Sequence, residues 1–188
     1  MTRKSLPCPT VIRLLLDCDY DTGKLTWRTR PVWMFKDGGK SALHTSKVWN
    51  RKYAGREAFT ATVKGYKRGS VGGTAVEAHR VVYCHKHGVW PRFHIDHIDG
   101  NSINNRIKNL RDVTPIENAR NKPMSHQNKS GHNGVHWCNK DKRWVAQISI
   151  KNKSKHLGQF REIEDAVAAR KIAERELGFH KNHGRPLM

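Results

Sequence analysis

Acidic residues, long apolar runs and paired cysteines are all scarce in this chain of 188 residues. Aspartate and glutamate total 16 against 36 lysine and arginine residues, so the formal net charge is +20 at pH 7. Such an excess of positive charge raises the local concentration of polyanions. The composition therefore favours a nucleic-acid partner, with an anionic membrane surface as the second possibility.

The lack of long apolar runs weakens the membrane alternative. No run approaches the ~20 apolar residues that a spanning helix needs, and the N-terminal segment VIRLLLD is too short and too charged for a signal peptide. We therefore expect a cytoplasmic protein without a membrane partner. The length allows one ordinary domain or two to three small ones.

The cysteines exclude two further classes of protein. The chain has four of them, no two of which form a C-x-x-C pair: Cys8, Cys18, Cys84 and Cys138. This spacing indicates neither a disulfide framework nor a zinc knuckle. Reduced, isolated thiols are the expectation.

The first 76 residues predict a small, irregular, β-rich region. The run DYDTGKLTWR places a turn before an alternating segment, which is typical of a hairpin, and EAFTATVKGYKRGSVGG predicts strand, turn and strand. Between them, Lys36–Arg56 is rich in glycine and lysine and shows little periodicity. The next segment, AVEAHRVVYCHKHG, has apolar residues at helical spacing and ends on Gly88, which predicts a helix that stops there.

The C-terminal third has a different pattern. The polar run KPMSHQNKSGHNG predicts a linker over residues 123–131. Beyond it, GVHWCN, RWVAQISI and KHLGQF alternate as strands do, and REIEDAVAARKIAERELG has the apolar stripe of an amphipathic helix. For residues 132–180 we therefore predict a three-stranded antiparallel sheet packed on one helix. The overall fold class is α+β.

One stretch, FHIDHIDGNSINNRIKNLRDVTPIEN, is unusually dense in Asp, His and Asn. It predicts a strand that carries Asp96 and His97, a turn at Asp99-Gly100 and a polar excursion, in which the side chain of Asn109 is placed to hold the loop. The TPIE segment has the features of a helix start with a capping box. Asn118 therefore falls in the first turn of that helix.

These residue types suit metal-assisted proton transfer. Asp96 and Asn118 offer hard oxygen ligands, and Mg²⁺ takes only one or two protein ligands beside waters and substrate phosphate. Asn121 lies one turn later and is the alternative second ligand. His97 can act as general base for an attacking water. Catalytic zinc is disfavoured, because no thiolate and no second properly spaced His is present to complete a tetrahedral site with His94 and Asp96.

The region from His79 to about Asn121 resembles the HNH endonuclease motif of phage- and intron-encoded homing endonucleases, in HRVVYCHKHG, IDHIDGNSINNRIKNLRDVT and IENARN. The resemblance implies a ββα-metal core over residues 77–122 that uses Mg²⁺ or Mn²⁺. It also implies that His97 is the general base, Asn109 the brace of the loop and Asp96 a metal ligand. Asn118 stands where many HNH proteins have a final His.

The C-terminal segment resembles the AP2 DNA-binding domain in GV-x-W, KRWVAQI, the LG-x-F corner and the helix. Strand alternation turns Trp144 and Ala146 toward the helix, and Val145 and Gln147 outward. Outward residues of such a sheet can contact bases in the major groove. The candidate DNA-binding residues are His136, Arg143, Gln147, Ser149, Lys151, Lys155 and His156.

Together these features predict a metal-dependent endonuclease that cleaves double-stranded DNA, with an N-terminal DNA-contacting region, a nuclease core and a C-terminal targeting domain. No protein partner is evident, so a monomer or a homodimer is expected. A phage-encoded protein of this kind would act in the cytoplasm of the host cell. The alternative is a non-enzymatic, sequence-specific DNA-binding regulator.

Overall fold

A computed structural model of the protein describes residues 5–121, 124–150 and 153–185, and it confirms the α+β class. The described residues fall into two compact units. The first is drawn from Met1–His97 and Asn101–Asp112, and the second from Ile98–Gly100 and Val113–Met188. Within the described ranges, no helix has the length and apolar character needed to cross a bilayer.

The chain enters the first unit through a short helix and a hairpin. Helix α1 spans Pro9–Leu15, strand β1 Leu16–Asp19 and strand β2 Lys24–Trp27, and the two strands pair antiparallel. The turn is held by the Asp19 carboxylate, which accepts hydrogen bonds from the backbone N–H of Asp21 at 2.9 Å and from the Thr22 hydroxyl at 2.8 Å. The predicted hairpin is thus present.

A helix lies in the segment that showed little periodicity. After a 3-10 turn at Val32–Met34, helix α2 spans Ala42–Tyr53, with Ser41 as its N-cap. Its inner face is polar and aromatic: the Asn50 side chain bonds the backbone of Arg30 in both directions, and Trp49 packs edge-on against Trp27. The sequence did not predict this helix, because its packed face lacks the aliphatic stripe that identifies an amphipathic helix.

A three-stranded antiparallel sheet follows, made of β3 (Ala61–Val63), β4 (Tyr66–Val71) and β5 (Thr74–Glu77). Helix α3 then spans Ala78–His87 and ends at Gly88, which is in the left-handed conformation with φ 73°. The helix stop was predicted correctly. The start was placed three residues early, because the apolar residues of β5 continue the helical spacing of α3.

The first unit ends with strands β6 (His94–His97) and β7 (Leu110–Val113), which form a two-stranded sheet; Val113 is already assigned to the second unit. A 3-10 turn at Ile107–Asn109 leads into β7. The apolar core of this unit gathers α1, the hairpin, β4, β5 and α3, with members that include Ile12, Leu16, Leu25, Val71, Val81 and Val82.

In the second unit, helix α4 spans only Pro115–Ala119. Thr114 accepts from the backbone N–H of Glu117, whose carboxylate accepts from the backbone N–H of Thr114 at 2.8 Å. The predicted capping box and N-terminal proline are therefore both present.

The rest of the second unit is a sheet of β8 (Val135–Cys138), β9 (Arg143–Ile150) and β10 (Lys153–Phe160) in the order β10-β9-β8, followed by helix α5 (Ile163–Glu176). Both pairings are antiparallel, as predicted. Val135, Ala146 and Ala166 form the buried centre of the packing between this sheet and α5.

Two details of this packing differ from the prediction. The buried face of α5 includes an ion pair, in which Arg170 Nε donates to Glu174 at 2.9 Å, so the stripe is not purely apolar. Val145 lies on the face away from α5, as expected, but is buried and not exposed. The predicted linker begins at Pro123, which lies outside the described residues.

Candidate active site

The strand that carries Asp96 and His97 is fixed at its entrance by two sets of hydrogen bonds. The Asp112 carboxylate accepts from the backbone N–H groups of Arg92 at 2.7 Å and Phe93 at 2.9 Å. On the other side, the Arg80 guanidinium of α3 donates to the carbonyls of Pro91 and Phe93. Since both sets meet immediately before β6, the strand starts from a well-defined point.

Asp96 is buried, with 7% of its surface exposed, and it is paired with an arginine. Arg111 of β7 donates from both Nε and Nη2 to Asp96 Oδ2, each at 2.7 Å. A buried carboxylate needs such a partner, because an unpaired charge in the interior is strongly unfavourable. The ion pair therefore holds the Asp96 side chain in one orientation.

The His97 imidazole, only 6% exposed, is held by a buried amide and two rings. Its Nε2 lies 3.1 Å from Asn105 Oδ1. The rings of His79 and Tyr66 pack beside it, with centroids 5.2 and 6.0 Å from that of His97. This environment restricts the plane of the imidazole, which is what a general base requires to meet its proton.

His79 itself is neutral in the folded protein. Burial lowers its pKa to about 3, with smaller contributions from His97 and Arg80. Its Nδ1 atom is buried without a hydrogen-bond partner among the described residues. His79 thus adds a ring but no charge to the surroundings of His97.

The loop after β6 is cross-linked to its neighbours within the first unit. Asn109 Nδ2 donates to the Asn104 carbonyl at 2.8 Å, and the Ser102 hydroxyl donates to the Gly65 carbonyl at 2.6 Å. Gly23 of the first hairpin adopts φ +74°, and a Cβ there would collide with the backbone of Asn105. A glycine at this position therefore allows the hairpin to approach the residue that contacts His97.

Asn118 belongs to the second unit, on α4, and is half-buried. Asn121, the alternative ligand, is almost completely buried. Its side-chain and backbone oxygens both accept from Arg185 Nη1, at 3.2 and 2.6 Å. Because a guanidinium already lies against Asn121 Oδ1, that oxygen is the less suitable one for a metal cation.

The candidate DNA-binding residues divide between the two faces of the C-terminal sheet. The register pairs Gln147 with His156 and Val145 with His136, which puts these side chains on one face, away from α5. Arg143 and Ser149 share that face by strand alternation. Lys155 pairs with Ile148 and so falls on the other face, while Lys151 lies outside the described residues.

Gln147 and Ser149 are also close to the helix that carries Asn118. They line a groove of about 640 Å³ in the second unit together with Pro115, Ile116 and Ala119 of α4. The groove thus joins the outward face of the sheet to the α4 segment.

Sequence reasoning missed three residues around Asp96 and His97. Asn105 is one of many asparagines in its run, and no local pattern distinguishes it from Asn104. Arg111 resembles the many other basic residues of the chain. His79 begins the segment that resembles the HNH motif, but its contact with His97 depends on the packing of α3.

Among the described residues, no group of three or more His, Cys, Asp or Glu side chains is arranged to hold a metal ion. A site with few protein ligands still fits the residues present. Asp96 supplies a carboxylate, the kind of hard oxygen donor that Mg²⁺ binds when waters and phosphate oxygens provide its other ligands.

Comparisons with known proteins give two matches. Residues 76–120 match the family model described as HNH endonuclease. The chain is 34% identical over 85 residues to "Protein 3.8" of Escherichia phage T7, an alignment that covers 45% of this chain and 69% of that protein. No solved structure matches the chain.

Proposed function

The chain belongs to the same family as Protein 3.8 of Escherichia phage T7 and carries an HNH endonuclease domain, and from this premise we propose that it is a metal-dependent endonuclease of the homing type. Its substrate is double-stranded DNA, in which it hydrolyses phosphodiester bonds. The net charge of +20 supports a polyanionic substrate.

The observation that carries this proposal is the pair of consecutive buried residues Asp96 and His97, each held by a side-chain partner. Burying a carboxylate and an imidazole side by side is unfavourable unless both are hydrogen-bonded. Arg111 and Asn105 supply those bonds at 2.7 and 3.1 Å. These partners fix a carboxylate and an imidazole at adjacent positions of one strand, which is the arrangement that the proposed chemistry needs.

His97 is the general base in this proposal. It takes a proton from the water that attacks phosphorus, a role that an imidazole can perform when it is correctly oriented. Asn105, His79 and Tyr66 keep the ring in place, and Asn109 holds the loop through its bond to the Asn104 carbonyl. Each residue thus either moves a proton or orients the group that does.

A divalent cation, Mg²⁺ or Mn²⁺, would be held by Asp96 and Asn118. When bound, such an ion stabilises the negative charge that develops on the phosphate and on the departing 3′ oxygen. Asn118 is preferred over Asn121, because Arg185 donates to Asn121 Oδ1. The choice of Asn118 rests on the HNH pattern, in which it occupies the position of the final ligand.

Target selection is assigned to the C-terminal sheet, which we propose to be an AP2-like domain. The polar residues on its outward face are exposed or half-buried and include an amide, a guanidinium and two imidazoles: Arg143, Gln147, His136 and His156. Arg suits guanine and Gln suits adenine in the major groove. Lys155 and Lys151 would contact phosphates, and the basic N-terminal region would add contacts that do not depend on sequence.

The test is cleavage of supercoiled plasmid DNA that carries a candidate target. Wild-type protein should convert it to nicked or linear DNA with Mg²⁺ or Mn²⁺ and not with EDTA. His97→Ala should lower the rate by roughly 10²- to 10⁴-fold with DNA affinity unchanged. Asp96→Ala should abolish metal-dependent cleavage. His87→Ala, at an exposed position of α3, is the matched control and should cleave normally.

Two results would contradict the proposal. Cleavage that persists in EDTA, or that is unaffected by His97→Ala, would show that the protein does not use the proposed metal-dependent HNH mechanism. Tight, sequence-specific binding with no cleavage under any divalent cation would instead favour the DNA-binding regulator.

A further inference from the structure

The last described residues of the chain, 177–185, run from α5 back to the segment that contains α4. On the α5 side, the backbone N–H of Gly178 donates to the carbonyl of Arg175 and that of Phe179 to the carbonyl of Glu174. The Phe179 ring lies against the guanidinium of Arg170, whose Cζ is 5.5 Å from the ring centroid. The beginning of this C-terminal tail is therefore fixed to the helix of the C-terminal module.

The end of the tail contacts two segments of the HNH domain that belong to the same unit. Asn182 Nδ2 donates to the carbonyl of Ile98 at 2.8 Å. Arg185 Nη1 donates to both oxygens of Asn121, and the backbone N–H of His180 donates to the Arg120 carbonyl. Two side chains thus connect the turn after β6 with the residues that follow α4.

Gly100 shows how closely the tail approaches this turn. Its φ is +78°, and a Cβ on it would collide with the guanidinium of Arg185. Only glycine combines that backbone conformation with so close an approach. The turn and the arginine are therefore packed against each other.

Helix α4 has a particular need for such contacts. It is five residues long, and an isolated helix of that length is unstable in water because nucleation is unfavourable. The capping box holds its N-terminus. Just beyond its C-terminal end, the carbonyl of Arg120 accepts from the backbone N–H of His180 at 3.2 Å and that of Asn121 accepts from Arg185 at 2.6 Å, so the tail holds the residues that follow the helix.

We propose that Asn182 and Arg185 are positioning residues for the nuclease, which hold the Ile98–Gly100 turn and α4 in a fixed arrangement. The turn follows Asp96 and His97 directly in the chain, and α4 carries Asn118. This inference rests on the proposed function. It makes the tail of the targeting module a part of the nuclease site, so that the module does more than bind DNA.

The experiment compares full-length variants by cleavage and by hydrogen–deuterium exchange. Asn182→Ala/Arg185→Ala should lower the metal-dependent cleavage rate by roughly 10- to 100-fold, since small displacements of site residues have effects of that size. DNA affinity at fixed salt should stay within about twofold of the wild-type value, because the phosphate contacts that supply most of the binding are retained. Amide exchange should become faster in peptides that cover 98–100 and 115–121, and Arg185→Lys should restore part of the protection.

Lys181→Ala is the charge-matched control, because Lys181 lies in the same tail and is exposed. It should leave both cleavage and exchange unchanged. Faster exchange throughout β9 and α5 in the double variant would overturn the proposal, since the tail would then only stabilise the C-terminal module. Unchanged exchange at 98–100 and 115–121 would overturn it as well. The exchange result does not need an active enzyme, so it separates this inference from a failure of the nuclease proposal.

Discussion

The surroundings of His97 and the outward face of the C-terminal sheet are both rich in polar side chains. Around His97 these side chains are buried, whereas on the sheet they are accessible. Asn105 and Gln147 carry the same amide group. Asn105 is almost completely buried and lies against His97, whereas Gln147 is half-buried on the sheet, where its Oε1 accepts from the exposed Ser154 hydroxyl at 3.1 Å. One amide is fixed in the folded protein, and the other is accessible to a ligand.

This difference matches the two tasks that we propose for these regions. A buried polar group that loses its partner is destabilised, so each such group fixes the position of its neighbour. Proton transfer needs this fixed geometry before the substrate arrives. Recognition of bases needs groups that exchange water for base edges on binding. We therefore expect changes around His97 to alter rate and stability, and changes on the sheet to alter affinity and specificity.

The largest effect that would test this comparison is on stability in acid. The pKa of His79 is about 3 in the folded protein, against an ordinary value of 6.5, and burial is the main cause. Below pH 6.5 the unfolded chain takes up a proton that the folded chain does not, so stability falls as pH falls. At roughly 1.4 kcal/mol per pH unit, the loss should approach ~4 kcal/mol at pH 3.5.

Chemical denaturation between pH 7 and pH 3.5 measures this loss. His79→Phe should flatten the pH dependence, because the ring is kept and the titrating group removed. His136→Gln, at an exposed position on the sheet, should leave it unchanged. An equal change in both variants would show that the surroundings of His79 and the sheet do not differ in this respect.

Much of the fold was predictable because its signals are local. The capping box at Thr114 and Glu117, the hairpin turn at Asp19 and the helix stop at Gly88 each depend on residues a few positions apart, and all are present. The same holds for the three strands and the helix of the C-terminal module. In these segments, local propensity and tertiary packing agree.

The rest depends on contacts between residues far apart in the chain. Helix α2 packs through Asn50 and Trp49 onto segments about twenty residues earlier, so no aliphatic stripe identifies it. The contact of Asn105 with His97 and that of Arg185 with Asn121 likewise follow from folding and not from spacing. The sequence alone indicates Asp96 and His97 as candidate site residues, but it does not show which residues hold them.

A smaller effect is expected for the buried amide. Asn105→Ala removes the bond to His97 Nε2 and should lower the free energy of unfolding by about 1–3 kcal/mol, the usual cost of a buried polar group without a partner. The cleavage rate should fall roughly 10- to 100-fold, since the imidazole is less well oriented. Single-turnover cleavage at saturating DNA measures the rate. A reduced DNA affinity with an unchanged rate would contradict the assignment of Asn105 to the nuclease site.

The smallest effect is expected for Gln147→Ala, and it should be confined to one base pair. An amide that pairs with adenine contributes roughly 1–3 kcal/mol of discrimination at that position and nothing elsewhere. Binding should be measured against a set of targets in which each base pair is replaced in turn, and the single-turnover rate at saturating DNA should stay at the wild-type value. Lys155→Ala is the comparison, because we propose that this exposed lysine contacts phosphate and not a base. It should weaken binding to all targets alike and reduce the salt slope of the affinity by about 0.9. If Gln147→Ala also acts uniformly on all targets, the outward face of the sheet contacts phosphates only, and the bases are recognised by another part of the protein.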